Sequence, residues 1–558
     1  VPATDQVSDG RSAGHTANVT NERQRILSVA RRTLGLDELR PLQIDAVSAL
    51  LDGRDVLAVM ATGYGKSAIF QTAAAMLDGL TVVVSPLIAL QQDQVQSLEE
   101  LDSPSAPVAV ALNSQHSDAE REDVRDRLVA GDIDLLYLSP EQLVRDDVLA
   151  ALADVGIALV AVDEAHCVSS WGHEFRPDYL RVGEAVTALG RPTVIALTAT
   201  ASPPVRDDIV EKLSLRDPVR LSGGFDRPEI RFEVRTHADE QATVDAAVED
   251  ASTLDGQGLV YIDTRAASES VAETLTAAGR PAAAYHGGLK QNDRDRVAKD
   301  FATGDIDIVV ATSAFGMGID KPDIRFVVHA AAPGSVDAYY QEAGRCGRDG
   351  RAALARLHYY PGGLSMHRFF ATRTVDESLI RRVVKTLGSA GRALPLSGIK
   401  DRLKNRSRKL TMVINLLVES GALERTEAGL VPVGDVSAKE AIAEATSLTE
   451  AEQKYARSRV DMMRGYAEST RCRRRHILEY FREELGSPCG NCDMCSTGAE
   501  SEDIPDGRFT LGDVVEHPDW GRGTVSAVES DRITVLFDDE GYKTLALSVI
   551  GDDLDKAG

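Results

Sequence analysis

The segment VLAVMATGYGKS, residues 56–67, runs an apolar stretch into a glycine-rich turn that closes on Lys66 and Ser67. Backbone N–H groups in such a turn point at phosphate oxygens, and here they come from Thr62, Gly63 and Gly65. Lys66 is placed to reach the β- and γ-phosphates of ATP, and the Ser67 hydroxyl to hold Mg²⁺. The strict pattern wants glycine where Met60 stands, so a glycine-rich turn before an unrelated helix remains the plain alternative. Farther on, ALVAVDEAH brings Asp163 and Glu164 to the end of an apolar run. Alone, an acidic pair there is more often a helix cap. Downstream of Lys66, Asp163 fits a second Mg²⁺ contact and Glu164 the carboxylate that polarises an attacking water, because phosphoryl transfer is mostly positioning and electrostatics. The segment DAYYQEAGRCGRDG, residues 337–350, supplies Gln341, Arg345 and Arg348. A site between two lobes needs a cation from the far lobe, worth roughly 10³–10⁵ in rate. Arg348 is the expected finger, with Arg345 its partner or alternative; a surface arginine pair is the competing reading.

Cys472, Cys489, Cys492 and Cys495 read C-x16-C-x2-C-x2-C. Four thiolates at this spacing suit tetrahedral Zn²⁺. A redox CxxC pair and iron–sulfur ligation are the rivals. Four protein ligands leave no open position, so the expected role is structural and His476 is a spectator. Cys167 and Cys346 read as small packed residues. The formal charge of -25 argues against nucleic acid only for the chain as a whole, since phosphate responds to the local field. Basic residues cluster in RRVVK from Arg381, RLKNRSRK from Arg402 and RCRRRH from Arg471. Each cluster is either a solvated face or a phosphate contact.

These groups need a frame. The runs at 56–60, 81–85, 134–139, 158–163, 193–198, 258–263, 306–312 and 325–330 alternate with helical patterns, which predicts an α/β fold of buried parallel strands. They are too many for one ordinary sheet, and a break near Ser222 divides them into two lobes, 23–222 and 223–362. Residues 1–22 have no apolar segment and are expected to be disordered. They do not read as a signal peptide, no run is apolar enough to span a membrane, and the clustered cysteines do not form a secreted framework, so a cytoplasmic location is expected. Residues 374–434 suggest three short helices and a hairpin, a winged helix or a helical spacer; Leu410, Val413, Ile414 and Leu417 share one helical face. A capping box at Ser437 opens a helical arm leading to the cysteines, giving a 437–496 arm and zinc module. After an acidic linker at 497–506, residues 507–558 carry short alternating strands that predict a small antiparallel barrel. That unit is too acidic for direct DNA binding. Trp520, Phe537 and Tyr542 are its candidate protein contacts, with barrel core as the other reading for Trp520 and Phe537.

The ordered motifs LRPLQ (39–43), ATGYGKS (61–67), SPLIALQQDQ (85–94), LLYLSPEQL (135–143), DEAHCVSSWGHEFRPDY (163–179), LTATA (197–201), YHGGL (285–289), ATSAFGMGIDKPDIRFVVH (311–329) and YYQEAGRCGRDG (339–350) resemble superfamily 2 helicases, specifically the RecQ family. The resemblance implies two RecA-like lobes and an ATP-dependent DNA helicase moving 3′→5′ on single-stranded DNA in repair or recombination. It implies that the loop after DEAH senses single-stranded DNA through Trp171, His173, Phe175 and Arg176; bases stack on such rings for about 1–3 kcal/mol each. It also implies that Arg40 and Gln43 contact adenine, that Thr198 and Thr200 couple the lobes, and that Gly318 and Asp320 approach nucleotide or DNA. The sequence departs from the family at Leu36, where an aromatic residue is usual, leaving Arg40 alone to stack. An inserted segment precedes the cysteines and no HRDC-like module is expected after them, so the duplex-splitting element is not carried over. The rival enzyme is a DNA-dependent ATPase that remodels protein–DNA complexes with weak unwinding; a nucleotide-gated DNA-binding adaptor is a rival of another class. Expected partners are single-stranded and tailed duplex DNA, and a monomer is the expected working unit. The C-terminal pattern GDxVxHpxxGxGxV resembles the Tudor/SH3-like end of superfamily 1 repair helicases, which implies RNA polymerase as a protein partner.

Overall fold

Seven strands, β1 (Val56–Met60), β2 (Leu80–Val84), β3 (Ala109–Leu112), β4 (Leu135–Leu138), β5 (Ile157–Val162), β6 (Thr193–Thr198) and β7 (Val219–Gly223), form the first sheet in the order β3-β4-β2-β5-β6-β1-β7. Every pairing is parallel. The inner strands β1, β2 and β4 are buried at every position, as their uninterrupted apolar sequence requires of a sheet covered on both faces. The computed structural model describes residues 10–101, 103–113, 116–169, 176–313, 315, 321–371, 374–426, 428–498, 507–529, 531–550 and 554–556. It divides into two units: residues up to Arg231 with Val248–Val328 and Tyr340–Ala355, and Phe232–Ala247 with His329–Tyr339 and Arg356–Gly558.

The register places function. Val59 on β1 lies beside Thr198 on β6, and Val162 on β5 beside Ala196, so the carboxyl ends of these three neighbouring strands emerge together. Ligands bind at such an edge of a parallel sheet.

The second sheet has the order β10-β11-β9-β12-β13-β8, from β8 (Ile230–Thr236), β9 (Gly258–Tyr261), β10 (Ala282–Tyr285), β11 (Ile308–Ala311), β12 (Phe326–His329) and β13 (Ala353–Tyr359). The last strand of the first sheet, β7, ends at Gly223, and the next strand in the chain, β8, belongs to the second sheet. Five strands escape the sequence pattern: β3, β7, β8, β10 and β13. In β10 the run AAAY has no β-branched residue at all. Its strand state comes from pairing with β11, not from propensity.

The amino-terminal expectation is corrected in part. A helix spans Gly10–Leu34 and so covers residues 10–22, read from composition as disordered. Ile26, Val29, Ala30 and Leu34 recur at helical spacing and are buried, and extending a packed helix backwards costs little once it is nucleated. Three helices, Glu377–Ala390, Leu396–Leu403 and Arg408–Glu419, precede the hairpin β14 (Leu423–Thr426) and β15 (Gly429–Pro432). An isolated bridge from Leu394 to Leu430 adds a third extended segment. Leu410, Val413, Ile414 and Leu417 all enter this unit's core. Ser437 caps the helix Ala438–Glu468 through Glu440, as the capping-box pattern requires.

At the C-terminus β16 (Val514–His517), β17 (Gly521–Val528), β18 (Arg532–Phe537), β19 (Gly541–Ala546) and β20 (Asp555–Lys556) form a five-stranded antiparallel sheet in the order β19-β18-β17-β16-β20. Phe537 belongs to its core, and Trp520 packs against that core with its ring 3.9 Å from His517. Among the described residues, no helix is long and apolar enough to cross a membrane.

Candidate functional site

The turn after β1 is built by glycine geometry. Gly63 and Gly65 have φ of +79° and +82°, where an L side chain is strained. Gln43 holds the turn: its Nε2 donates to the carbonyls of Gly65 (2.8 Å) and Tyr64 (3.1 Å), while Oε1 accepts from the Arg40 backbone at 2.7 Å. The Arg40 guanidinium lies 4.4 Å from the Tyr64 ring centroid. The structure therefore brings both resemblance-derived residues to the P-loop itself. Lys66 Nζ donates to the carbonyl of Met60 at 3.1 Å, and Gln94 Nε2 donates to Ser67 Oγ at 3.2 Å.

Asp163 and Glu164 follow β5. Glu164 is left-handed at φ +48°, a conformation costing about 1–2 kcal/mol outside glycine, and its N–H donates to Asp163 Oδ1 at 3.0 Å. Burial, and then the Glu164 charge, push the Asp163 carboxyl up to about 7. Burial likewise lowers the Lys66 ammonium, opposed by Glu164 and Asp163 and reinforced by Arg348. The four charged groups thus act on one another at one place. His166 Nδ1 lies 2.8 Å from Thr198 Oγ1, which donates to the Thr200 carbonyl at 3.1 Å. With its proton committed there, Thr198 must accept from His166, so Nδ1 carries the hydrogen. Glu164 Oε2 is 3.3 Å from the same nitrogen. His166 thus joins the turn that carries the carboxylate to Thr198 at the end of β6, within the first lobe.

Arg348 is brought to the turn. A Cβ on Gly63 would sit 3.4 Å from Arg348 Cγ and 3.8 Å from Cδ, so the absence of a side chain there makes room for the arginine stem. Gln341 and Arg345 are buried nearby in the chain, Arg345 acting electrostatically on Tyr261. Sequence reasoning missed Arg227. This buried residue donates to the carbonyls of Thr62 (3.3 Å), Gly344 (3.0 Å) and Cys346 (2.9 Å), and pairs with Glu229. It bridges the P-loop and the arginine segment by backbone contacts, which leave no local sequence signature beyond the run FDRPE. The Thr62 hydroxyl and Glu164 Oε2 are buried without a hydrogen-bond partner, and the left-handed glycines clear space beside them. Those features fit a nucleotide phosphate chain with Mg²⁺ on Ser67 and Asp163.

Trp171, His173 and Phe175, with Gly318 and Asp320, lie outside the described residues. Arg176 is described: its Nη1 donates to the Pro86 carbonyl at 2.9 Å. Tyr179 closes the loop, fully buried, its hydroxyl donating to the Asp163 carbonyl at 3.0 Å. The far end of the aromatic loop is therefore hydrogen-bonded to the backbone of a catalytic candidate.

The four cysteine sulfurs lie within 4.8 Å of one another, Cys489 and Cys495 at 3.8 Å. A tetrahedron with Zn–S of about 2.3 Å has sulfurs about 3.8 Å apart. The Sγ atoms of Cys472 and Cys492 each accept a backbone N–H at 3.4 Å, and Cys489 accepts one at 3.3 Å. Thiolates this close repel unless a dication lies between them, so the donor set fits Zn²⁺. The neighbouring arginines correct an expectation. Arg471 pairs with Glu479 and Arg473 with Asp493, both buried, so they brace the module and do not face DNA phosphate. Arginine is favoured there because its fork satisfies a carboxylate bidentately.

Residues 40–209 match the DEAD/DEAH box helicase family, 242–350 the helicase conserved C-terminal domain, and 433–496 the RecQ zinc-binding family. An ATP-dependent DNA helicase RecQ of Synechocystis sp. is 35% identical over 86% of this chain and 99% of that protein. The chain belongs to the RecQ helicase family. The probable ATP-dependent DNA helicase RecS of Bacillus subtilis is 38% identical over 63% of the chain and 71% of that protein. The RecQ of Haemophilus influenzae is 33% identical over 85% of the chain, yet the chain spans only 64% of that relative's length. The DUF1998 helicase MrfA bound to DNA shares the fold at a TM-score of 0.51 and 19% identity, over 76% of this chain and 61% of that one. Residues 510–554 match a family of unknown function, DUF3553.

Proposed function

We propose that the chain is an ATP-dependent DNA helicase of RecQ type, hydrolysing ATP under DNA stimulation and moving 3′→5′ on single-stranded DNA. The observation that carries this reading is the approach of Arg348 to Gly63, beside Lys66 and the Asp163–Glu164 pair. Lys66 and the turn amides would hold the phosphates, Ser67 and Asp163 would hold Mg²⁺, Glu164 would orient the attacking water, and Arg348 would neutralise charge in the transition state. Mg²⁺ held by Ser67 and Asp163 would supply Lewis-acid chemistry to the phosphates, and Asp163 would have to be ionised to hold it. The aromatic loop, anchored through Tyr179 to Asp163, reports single-stranded DNA to the site. The unit at 377–432, with the helix, extended-segment, helix, helix and hairpin order of a winged helix, takes the duplex arm of a tailed substrate. We further propose that it acts in repair or recombination, as a monomer in the cytoplasm, and that its acidic C-terminal unit takes a protein partner such as RNA polymerase.

ATP turnover with and without single-stranded DNA, and unwinding of 3′- and 5′-tailed duplexes, test this directly. Strong stimulation and unwinding of the 3′-tailed substrate alone are expected. In Trp171→Ala, basal turnover should survive while stimulation and unwinding fall. DNA-independent turnover in the unaltered chain would end the proposal.

A further inference from the structure

The C-terminal sheet, whose matched family carries no function, is docked by one edge. Gly541 on β19 has φ +72°, and a Cβ there would lie 2.4 Å from Ser458 Oγ and 3.2 Å from Tyr455 Cα on the helix Ala438–Glu468. The backbone of β19 thus meets that helix where only glycine fits. Beside it Lys454 Nζ reaches Glu540 at 2.6 Å. Tyr542, expected to face a protein partner, is instead buried, because the ring turns inward where β19 docks. It stacks on Tyr480 with centroids 5.5 Å apart and planes at 28°, and lies 6.1 Å from Tyr455. On the other side Arg471, beside zinc ligand Cys472, reaches Glu529 of the C-terminal unit at 3.5 Å.

The contacts continue to a buried carboxylate. The Tyr480 hydroxyl donates to Asp337 Oδ2 at 2.5 Å. Arg459 donates to the same oxygen at 3.0 Å and to Ser335 Oγ at 2.8 Å. Ser335 Oγ in turn accepts the Ala338 N–H at 3.2 Å, capping the helix Val336–Ala343. Asp337 stands one turn before Gln341 on that helix, and the chain then runs directly to Arg345 and Arg348. A buried ion pair is a poor source of stability but a good device for selecting one geometry. Here the selected geometry is the first turn of the helix that leads into the arginine finger.

We propose that the C-terminal sheet is a positioning element of the motor: Tyr542 sets the Tyr480 ring, and Tyr480 with Arg459 fixes Asp337 and the helix carrying Gln341. Tyr480, Tyr542 and Asp337 are positioning residues, none touching nucleotide. The effect on turnover rests on the ATPase reading above; the effect on the helix does not.

The test uses the full chain with Tyr480→Phe, Tyr542→Ala and Tyr542→Phe, each checked for zinc content and thermal midpoint. In Tyr480→Phe and Tyr542→Ala, hydrogen exchange of the amides of Val336–Ala343 should accelerate. DNA-stimulated kcat should fall about tenfold with KM for ATP nearly unchanged, a modest case of the roughly 100-fold loss that misplacement by 1 Å can bring. Tyr542→Phe, which keeps the ring, should match the unaltered chain in both readouts. Unchanged exchange in zinc-loaded, folded Tyr480→Phe and Tyr542→Ala overturns the proposal. So does a loss of turnover that only tracks loss of zinc or of folded protein. If the unaltered chain turns over no ATP yet exchange still accelerates in the variants, the positioning stands and the ATPase reading falls.

Discussion

Replacing Arg227 separates two effects that one guanidinium combines. Its side chain is 9% exposed and that of Glu229 16%, so Arg227→Gln strands a largely buried carboxylate. Breaking one side of such a pair costs about 3–5 kcal/mol. At roughly 2–4 °C per kcal/mol for a large domain, the thermal midpoint should fall by about 6–20 °C. The same change removes donors from the carbonyls of Thr62, Gly344 and Cys346, which tie the P-loop to the segment bearing Arg348. A displacement of 1 Å there costs about 100-fold in kcat. The double variant Arg227→Gln with Glu229→Gln leaves no stranded charge. Its stability should recover to within about 1–2 kcal/mol of the original, the scale of a few lost hydrogen bonds, while kcat stays low. Steady-state ATPase on single-stranded DNA and a thermal melt of both variants suffice. A double variant with full kcat would refute the view that Arg227 positions the finger; a single variant with an unchanged midpoint would refute the buried-charge reasoning.

Glu164→Gln should bind ATP with little change and lose turnover by about 10²–10⁴-fold, as expected when a positioned carboxylate becomes an amide; single-turnover kinetics and nucleotide titration check it. Asp163→Asn should stabilise the nucleotide- and Mg²⁺-free chain at pH 8 while ending hydrolysis. Burial, then the Glu164 charge, push the native carboxyl from its ordinary 3.8 up to about 7, so its charge weighs on the folded state above pH 7 and that burden is relieved as pH falls toward 4. Melts at pH 8 should therefore differ between the variant and the original more than melts at pH 5. Elemental analysis should find about one Zn²⁺ per chain, and Cys489→Ser should lower both zinc content and the thermal midpoint, since ligand assembly is coupled to folding. Iron in place of zinc would overturn that assignment.

How much was legible depended on whether a group acts through its neighbours in sequence. Lys66, Ser67, Asp163 and Glu164 are held by turns immediately after strands, so residue type and spacing reveal them. The helical face of Leu410, Val413, Ile414 and Leu417 and the Ser437 cap are equally local, and both are found as read. The run AAAY of β10 gave no signal because its strand state is imposed by pairing. The arginines of RCRRRH looked like a basic patch in one dimension; two of them are buried against Glu479 and Asp493.

Sequence alone was sufficient for the family, the two-lobed parallel architecture, the phosphate-binding turn and the cysteine quartet, because repeated short-range patterns encode them. The tertiary structure decided which strand ends emerge together, that Arg227 bridges two backbone segments, and that Tyr542 faces inward to Tyr480. Those outcomes arise from contacts between residues far apart in the chain. Backbone carbonyls and ring stacking accept many partners, so no spacing rule marks them before the fold brings them within reach.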